Sequence, residues 1–185
     1  GLDDCFVWSH ADGGNGHAYV LITPSDPSDF LQWSTWLEAK EKAAQADQGS
    51  GADSYLMTLG SQTEFDWIKA TFQTVMASHT ALFDTGGPWI GGWQPDYIDG
   101  SASETDPEDG WEWVSGEPWD KEGNSAYWAN GVPPNNSGGT EHCLQFYFDS
   151  FEWNDNACDS TLSAGYFVEI EGQSGDCDAP QDALV

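Results

Sequence analysis

The chain has no arginine and only 4 lysines in 185 residues, against 32 aspartates and glutamates, for a formal charge of -28. Arginine is the usual planar clamp for phosphate, and affinity for nucleic acid rises with the number of phosphates neutralised. A nucleic-acid partner is therefore excluded, and an anionic membrane surface would repel the chain. No apolar run approaches the ~20 residues needed to span a bilayer. No secretory leader is present, so the chain reads as a mature or excised segment. Cysteine is scarce too: there are 4, and no two stand at the two-residue spacing of a zinc site or redox motif. Most of the acidic side chains read as a solvated surface suited to a salty medium or to repeated contact with divalent cations.

Aromatic residues are abundant. The chain carries 11 Trp, 9 Phe and 6 Tyr, which sets it apart from disordered acidic segments, since those are poor in aromatics. The length fits one domain with a real core. Four cysteines allow three pairings. Cys143–Cys158 and Cys5–Cys177 are favoured: the first closes a short loop and the second would staple the termini. On a chain-entropy basis they contribute about 3 and 5 kcal/mol. Disulfides require an oxidising compartment, so the protein reads as secreted or extracellular.

Along the chain, Gly1 to Gly16 reads as irregular and His17 to Thr23 as a first strand. Thr35 and Glu38 form a capping-box pattern ahead of Trp36, Ala39, Ala43 and Ala46 at helical spacing. Ser61 and Glu64 repeat it ahead of Phe65, Ile68, Phe72, Val75 and Met76. Trp89-Ile90-Gly91-Gly92 reads as a short buried strand, and Trp111 to Val114 alternates like another. Ser115 to Thr140 is a long irregular stretch, which a compact domain tolerates when it is functional. Cys143 to Phe148 and Phe151 to Trp153 form a hairpin, and Gly165 to Ile170 a last strand. Early helices and late short strands make an α+β fold with segregated elements. The reading divides the chain into an N-terminal segment 1–15, a domain 16–171 and a tail 172–185.

The stretch from Gly131 to Cys158 carries four oxygen-bearing side chains: Asn135, Glu141, Asn154 and Asp155. Amide and carboxylate oxygens suit a hard cation such as calcium, which takes six to eight oxygens in flexible geometry. Asn154-Asp155 alone reads as an ordinary Asx turn. With Glu141 and Asn135 in register, calcium is the better reading.

The motifs in sequence resemble the C-type lectin-like domain over about Gly16 to Glu171. They are Trp36-Leu37-Glu38-Ala39, Leu56 to Leu59 with Ser61 and Glu64, Trp89-Ile90-Gly91-Gly92, Trp111-Glu112-Trp113, Pro134-Asn135-Asn136, Glu141-His142-Cys143, Trp153-Asn154-Asp155 and Cys158. The resemblance implies a C-type lectin-like fold with two helices, short antiparallel sheets and a long calcium-binding loop. It also implies Ca2+ held by Asn135, Glu141, Asn154 and Asp155, with the same four residues touching two vicinal sugar hydroxyls. The family's Glu-Pro-Asn triplet appears as Pro133-Pro134-Asn135, so the glutamate ligand is missing. Asn135 leans towards mannose, glucose or fucose. A cis bond before Pro134 is expected, because a proline amide makes cis accessible. The family's first-helix cysteine is replaced near Ala43 and Ala44, and its last-strand cysteine around Glu169. Cys5 and Cys177 would supply a substitute staple.

Other residues bear on the same site. Gln94-Pro95-Asp96 spells the galactose-type triplet but precedes the long loop and reads as a turn. Glu117 lies in the loop region, within reach of the site. His142 reads as a surface residue, Asn136 as a contact to a second calcium, and Asp106, Glu108 and Asp109 as solvated acids. Trp119 and Trp128 are the tryptophans best placed to stack on a sugar, although core packing is the commoner fate. Asn135-Asn136-Ser137 matches an N-glycosylation acceptor, read as coincidence or a bacterial context. The implied function is calcium-dependent carbohydrate binding by a secreted lectin or adhesin recognition domain, within an oligomer or a larger parent. A calcium-independent domain binding protein, ice or mineral is the alternative. An enzyme is not expected, since no nucleophile or base motif accompanies Glu141 and Asp155.

Overall fold

In the computed structural model the described residues are 5–25, 33–47, 51–84, 86–101, 103, 106–131, 133–163 and 165–173. The strands are β1 (Cys5–Val7), β2 (Ala18–Ile22), β3 (Ser54–Leu56), β4 (Trp89–Trp93), β5 (Glu112–Trp113), β6 (Glu141–Phe146), β7 (Trp153–Ala157) and β8 (Tyr166–Ile170). The helices are α1 (Trp36–Ala43), α2 (Gln62–Ser78), and the single turns α3 (Pro95–Ile98) and α4 (Lys121–Asn124). The sheet order is β1-β2-β8-β4-β6-β7, with β3 added to β8 and β5 to β4. The α+β class holds.

Both long helices begin where local chemistry predicts. Thr35 caps α1 with a full capping box, in which the Glu38 carboxylate returns to the Thr35 amide. Ser61 caps α2 by accepting from the Glu64 amide at 3.2 Å. The second capping box is only half formed, because the Glu64 side chain turns inward to Tyr19 and Asn15 instead.

Helix α1 is tied to the sheet by two reciprocal indole bonds. Trp36 Nε1 donates to the Ile90 carbonyl at 2.8 Å, and Trp89 Nε1 to the Ser34 carbonyl at 2.9 Å. Buried indoles need such partners, since an unmade bond in the interior costs about 1–3 kcal/mol. Gly91 follows from the same packing: a Cβ there would lie 2.4 Å from the Leu56 carbonyl of β3. Helix α2 lays Phe65, Ile68, Phe72 and Met76 on the opposite side, in one core with Leu21, Met57, Phe146 and Phe167.

Several sequence expectations change. The stretch Gly1 to Gly16 contains strand β1, which pairs antiparallel with β2. Its three residues, Cys-Phe-Val, are too short a run for periodicity to register. The 115–140 stretch is not structureless; it holds α4 and several single 3-10 turns. No cis peptide bond occurs among the described residues, so the bond before Pro134 is not cis. Trans is favoured by about 0.5–1 kcal/mol for such bonds, and no glutamate side chain precedes this one to reward the alternative. At the lost family staple, Ala43 and Val168 share one buried apolar cluster. Glu169, the neighbouring position, faces the other side of the sheet.

Cys143 and Cys158 are bonded, with Cα atoms 5.1 Å apart and a sequence separation of 15. The expected Cys5–Cys177 bond involves Cys177, which lies outside the described residues. Replacing both Cys143 and Cys158 by alanine is expected to cost about 3 kcal/mol in urea denaturation, the loop-closure value for a loop of this length. A loss below ~1 kcal/mol would show that the β6–β7 hairpin holds this loop without the bond.

Candidate cation and ligand site

Strands β6 and β7 form an antiparallel hairpin in which Glu141 pairs with Ala157, Leu144 with Asp155 and Gln145 with Asn154. The register slips between Glu141 and Cys143, a bulge that re-aims the start of β6. Asn154 and Asp155 therefore sit inside β7, not past its end. Beneath them Trp153 is wholly buried and packs against Trp113, Trp119, Tyr127 and Trp128 with ring centroids 4.9–5.8 Å apart. This aromatic floor fixes the strand that carries the acid.

Above the floor the 135–137 turn binds both acids. The Asn136 amide donates to Asp155 Oδ2 at 2.6 Å, and the Ser137 amide to Glu141 Oε2 at 2.7 Å. The Glu141 amide in turn donates to Asn136 Oδ1 at 2.8 Å. Asn136 has φ 41, ψ 54, a left-handed conformation that asparagine tolerates better than most residues. That backbone aims successive N–H groups at the carboxylates, an arrangement typical of anion-binding turns. Asparagine at 136 thus serves the acids through its backbone and its side chain, where the sequence suggested a second-ion contact.

Asp155 is 2% exposed. Burial pushes its carboxyl above the ordinary range, while the amides of Asn136, Asn135 and its own residue, together with His142, pull it back. Glu141 is also raised, first by burial and then by the Asp155 charge, against the bond from Ser137. The two acids therefore repel each other across a partly dry space. Among the described residues, no ion pair reaches either acid: the lysine pairs there join Lys121 to Asp106 and Asp109.

The remaining candidates are placed as follows. Asn135 has an exposed side chain, and its backbone amide is what reaches Asp155. Asn154 Nδ2 donates to the Asp155 carbonyl at 2.6 Å. Glu117 bonds Thr58 Oγ1 at 2.7 Å, and that hydroxyl also reaches Glu169. Trp128 is buried at 6% exposure, and Trp119 is partly buried and packed against Trp111 and Trp113, so both belong to the aromatic floor. Gln94 is fully buried and ties His142 to the backbone of Pro107 and Asp109, so Gln94-Pro95-Asp96 is a structural turn. His142 is half-buried and bonded, where a surface residue was expected. No sequence signal separated it from a free histidine, since Gln94 lies 48 positions away.

A hard cation fits this donor set in its chemistry. Two carboxylates are gathered by one turn, no lysine pairs with either among the described residues, and the Asn136 side-chain oxygen stands at the same turn. Among the described residues no three His, Cys, Asp or Glu side chains gather as a metal cluster. A cation here would rely on the asparagines and on carbonyl, water or ligand oxygens to complete its shell.

Comparison with known proteins bears on the same residues. The model of the C-type lectin domain matches residues 32–164. The chain belongs to the C-type lectin domain family. The C-type lectin CEL-I from Cucumaria echinata is similar at 20% identity and a TM-score of 0.52, over 85% of this chain and 91% of that one. Human lithostathine gives 17% identity and 0.53, over 84% and 92%. The Kupffer cell C-type lectin receptor Clec4f, described as trimeric, gives 23% and 0.53, over 88% and 83%. At these identities the likeness is one of fold. A comparison with curated proteins returns no match.

The raised carboxyls of this C-type lectin domain carry a sign. A carboxyl whose folded pKa exceeds its unfolded one favours the fold at low pH and loses that advantage as pH rises through the folded value. The metal-free protein is expected to lose Tm as the pH rises out of the ordinary carboxylate range and through the raised folded values of these two groups. Glu141→Gln, which removes one of the two repelling charges, should make that decline shallower in a chelator-treated melting series. An unchanged slope would mean that the two acids do not interact.

Proposed function

We propose that this domain binds carbohydrate in a calcium-dependent manner, with Asn135, Glu141, Asn154 and Asp155 as the ligands of the ion and of the sugar. The observation that carries the reading is the pair of acids, Glu141 and Asp155, whose carboxylates are gathered by the amides of one turn. Family membership and the similar lectin folds support carbohydrate as the ligand class.

A bound calcium would supply a Lewis acid able to accept two vicinal hydroxyls. The chain's own residues would orient those hydroxyls. Carboxylates accept from sugar O–H groups, and amides both donate and accept. The Asn136 turn would hold the acids ready, so that little ordering entropy remains at binding. Asn135 favours mannose, glucose or fucose geometry, and Pro133 leaves one contact to ion and sugar unmade. Such sites are shallow, and useful avidity follows from linking several of them in an oligomer or a multidomain parent. A secreted lectin or adhesin recognition domain suits the disulfide between Cys143 and Cys158.

A second reading has its own support. Asp155 already receives backbone amides, and the bond before Pro134 is not cis. A domain with those features can stand without calcium and bind protein, ice or mineral. Melting separates the two, because an ion that binds only the folded state raises Tm by mass action. The lectin reading expects a clear rise in millimolar calcium, reversed by chelator, and calcium-dependent signal on a glycan array. No rise and no signal would leave the second reading.

Two variants sharpen this. Glu141→Gln should weaken calcium at least ~10-fold, since a lost charged contact is worth about 1.5–3 kcal/mol. Pro133→Glu should strengthen it by restoring the missing oxygen. Titration calorimetry reads both, and equal affinities in all three proteins would refute the assignment.

A further inference from the structure

Strand β6 carries one residue too many at its start. Glu141 pairs with Ala157 and Cys143 with Asn156, so His142 is the extra residue of the bulge and has no opposite number on β7. A bulge of this kind bends its strand and re-aims the side chains beside it. Drawn into a regular ladder, the start of β6 would shift by one position, and Glu141 would turn to the opposite face. The direction of Glu141 therefore depends on what holds His142 out of the ladder.

Gln94, the residue after β4, holds His142 twice. The Gln94 amide donates to the His142 carbonyl at 2.9 Å, and Gln94 Oε1 lies 2.9 Å from His142 Nδ1. The polarity of the second bond is fixed by its surroundings. Gln94 Nε2 lies 3.2 Å from the Pro107 carbonyl and 2.6 Å from the Asp109 carbonyl, and carbonyl oxygens only accept. The amide nitrogen therefore faces those carbonyls, its oxygen faces His142, and Nδ1 carries the hydrogen between them. The 107–109 segment is itself tied down. Trp111 Nε1 donates to the Pro107 carbonyl at 2.8 Å, and Lys121 reaches the Asp109 side chain at 2.6 Å. Gln94 is wholly buried, and a polar side chain at that depth is costly unless its bonds are made. Here one of those bonds ends on the residue next to a candidate ion ligand. From the other flank the 135–137 turn grips Glu141, through Asn136 Oδ1 and the Ser137 amide.

We propose that Gln94 is a positioning residue for the candidate site: by pinning His142, the extra residue of the β6 bulge, it keeps the Glu141 carboxylate at the 135–137 turn. The functional half of this proposal rests on Glu141 serving as an ion ligand, as proposed above. Gln94 touches neither ion nor sugar and acts only through His142. Its effect is therefore on the affinity of the folded protein, because a carboxylate already aimed at the ion spends little ordering entropy on binding.

The test reads the intact chain and its variants in two independent ways. In chelator, NMR contacts across the hairpin report the bulge, with Glu141 opposite Ala157 and Cys143 opposite Asn156 in the unaltered chain. In calcium, titration calorimetry at a temperature where every variant is folded reports affinity. His142→Leu removes the donor but leaves Gln94 on the 107 and 109 carbonyls. It should abolish the bulge contacts and weaken calcium about 10–100-fold, the usual cost of losing a group that orients a metal ligand. Gln94→Met, which keeps the buried volume, should do the same; should it not fold, His142→Leu decides. His142→Asn, whose Nδ2 falls where Nδ1 stood, should restore both readings, and comparison with His142→Leu cancels the loss of the ring's charge. Lys121→Met, which breaks only the exposed pair to Asp106 and Asp109, should change neither. A merely structural role would lower Tm and leave the affinity of the folded protein unchanged. Bulge contacts that survive His142→Leu, affinity that survives their loss, or failure of His142→Asn to restore them would each overturn the proposal. An unaltered chain that binds no calcium would instead overturn the ion assignment, and the contacts in chelator would still decide whether Gln94 holds the bulge.

Discussion

Glu141 and Asp155 are held against their mutual repulsion by one short turn. Its amides at 135, 136 and 137 bond their oxygens, and the Asn136 side chain bonds back to the Glu141 amide. The left-handed Asn136 backbone makes this double grip possible. The rest of the second half of the chain keeps that turn and those acids in register. The Cys143–Cys158 bond closes the hairpin, its bulge aims Glu141, and the tryptophan floor under β7 fixes Asp155. The Trp36 amide donates to the Cys158 carbonyl at 3.0 Å, which ties helix α1 to the same corner.

The acidic composition and the aromatic core belong to one design. A chain with so few cations cannot neutralise buried acids by ion pairs. It satisfies them instead mainly with backbone amides and hydroxyls, as at Asp155 and Glu169, the latter also taking the His17 ring. The folding drive then rests on large apolar area, and aromatics bury the most area per residue. Fully buried Trp36, Trp89 and Trp153 lie at the junctions of helices and sheet.

Local and periodic features were legible in the sequence. Thr35 and Ser61 mark both helix starts, the apolar stripes of α1 and α2 face the core, and Trp89 to Gly92 forms its strand. Order and spacing of motifs were enough to point to the C-type lectin domain family. Features that join distant positions were not legible. Glu64 fitted a capping box three residues long, whereas its partners are Asn15 and Tyr19, 49 and 45 residues away. Glu117 read as a loop acid because nothing local reveals its bond to Thr58, 59 residues back. In the candidate site the residue types were readable. The role of Asn136 was not, because its backbone angles and its bonds across the turn leave no mark in composition.

In the proposed function the turn and its two acids would seat a hard cation that in turn grips a sugar diol. The most direct measurement is a crystal structure grown with calcium and a mannose-type monosaccharide, with the ion located by anomalous scattering. One peak is expected beside Glu141 and Asp155, bonded as well to Asn135, Asn154 and two vicinal sugar hydroxyls. A map with no peak there at millimolar calcium, or with the sugar bound elsewhere, would contradict the account.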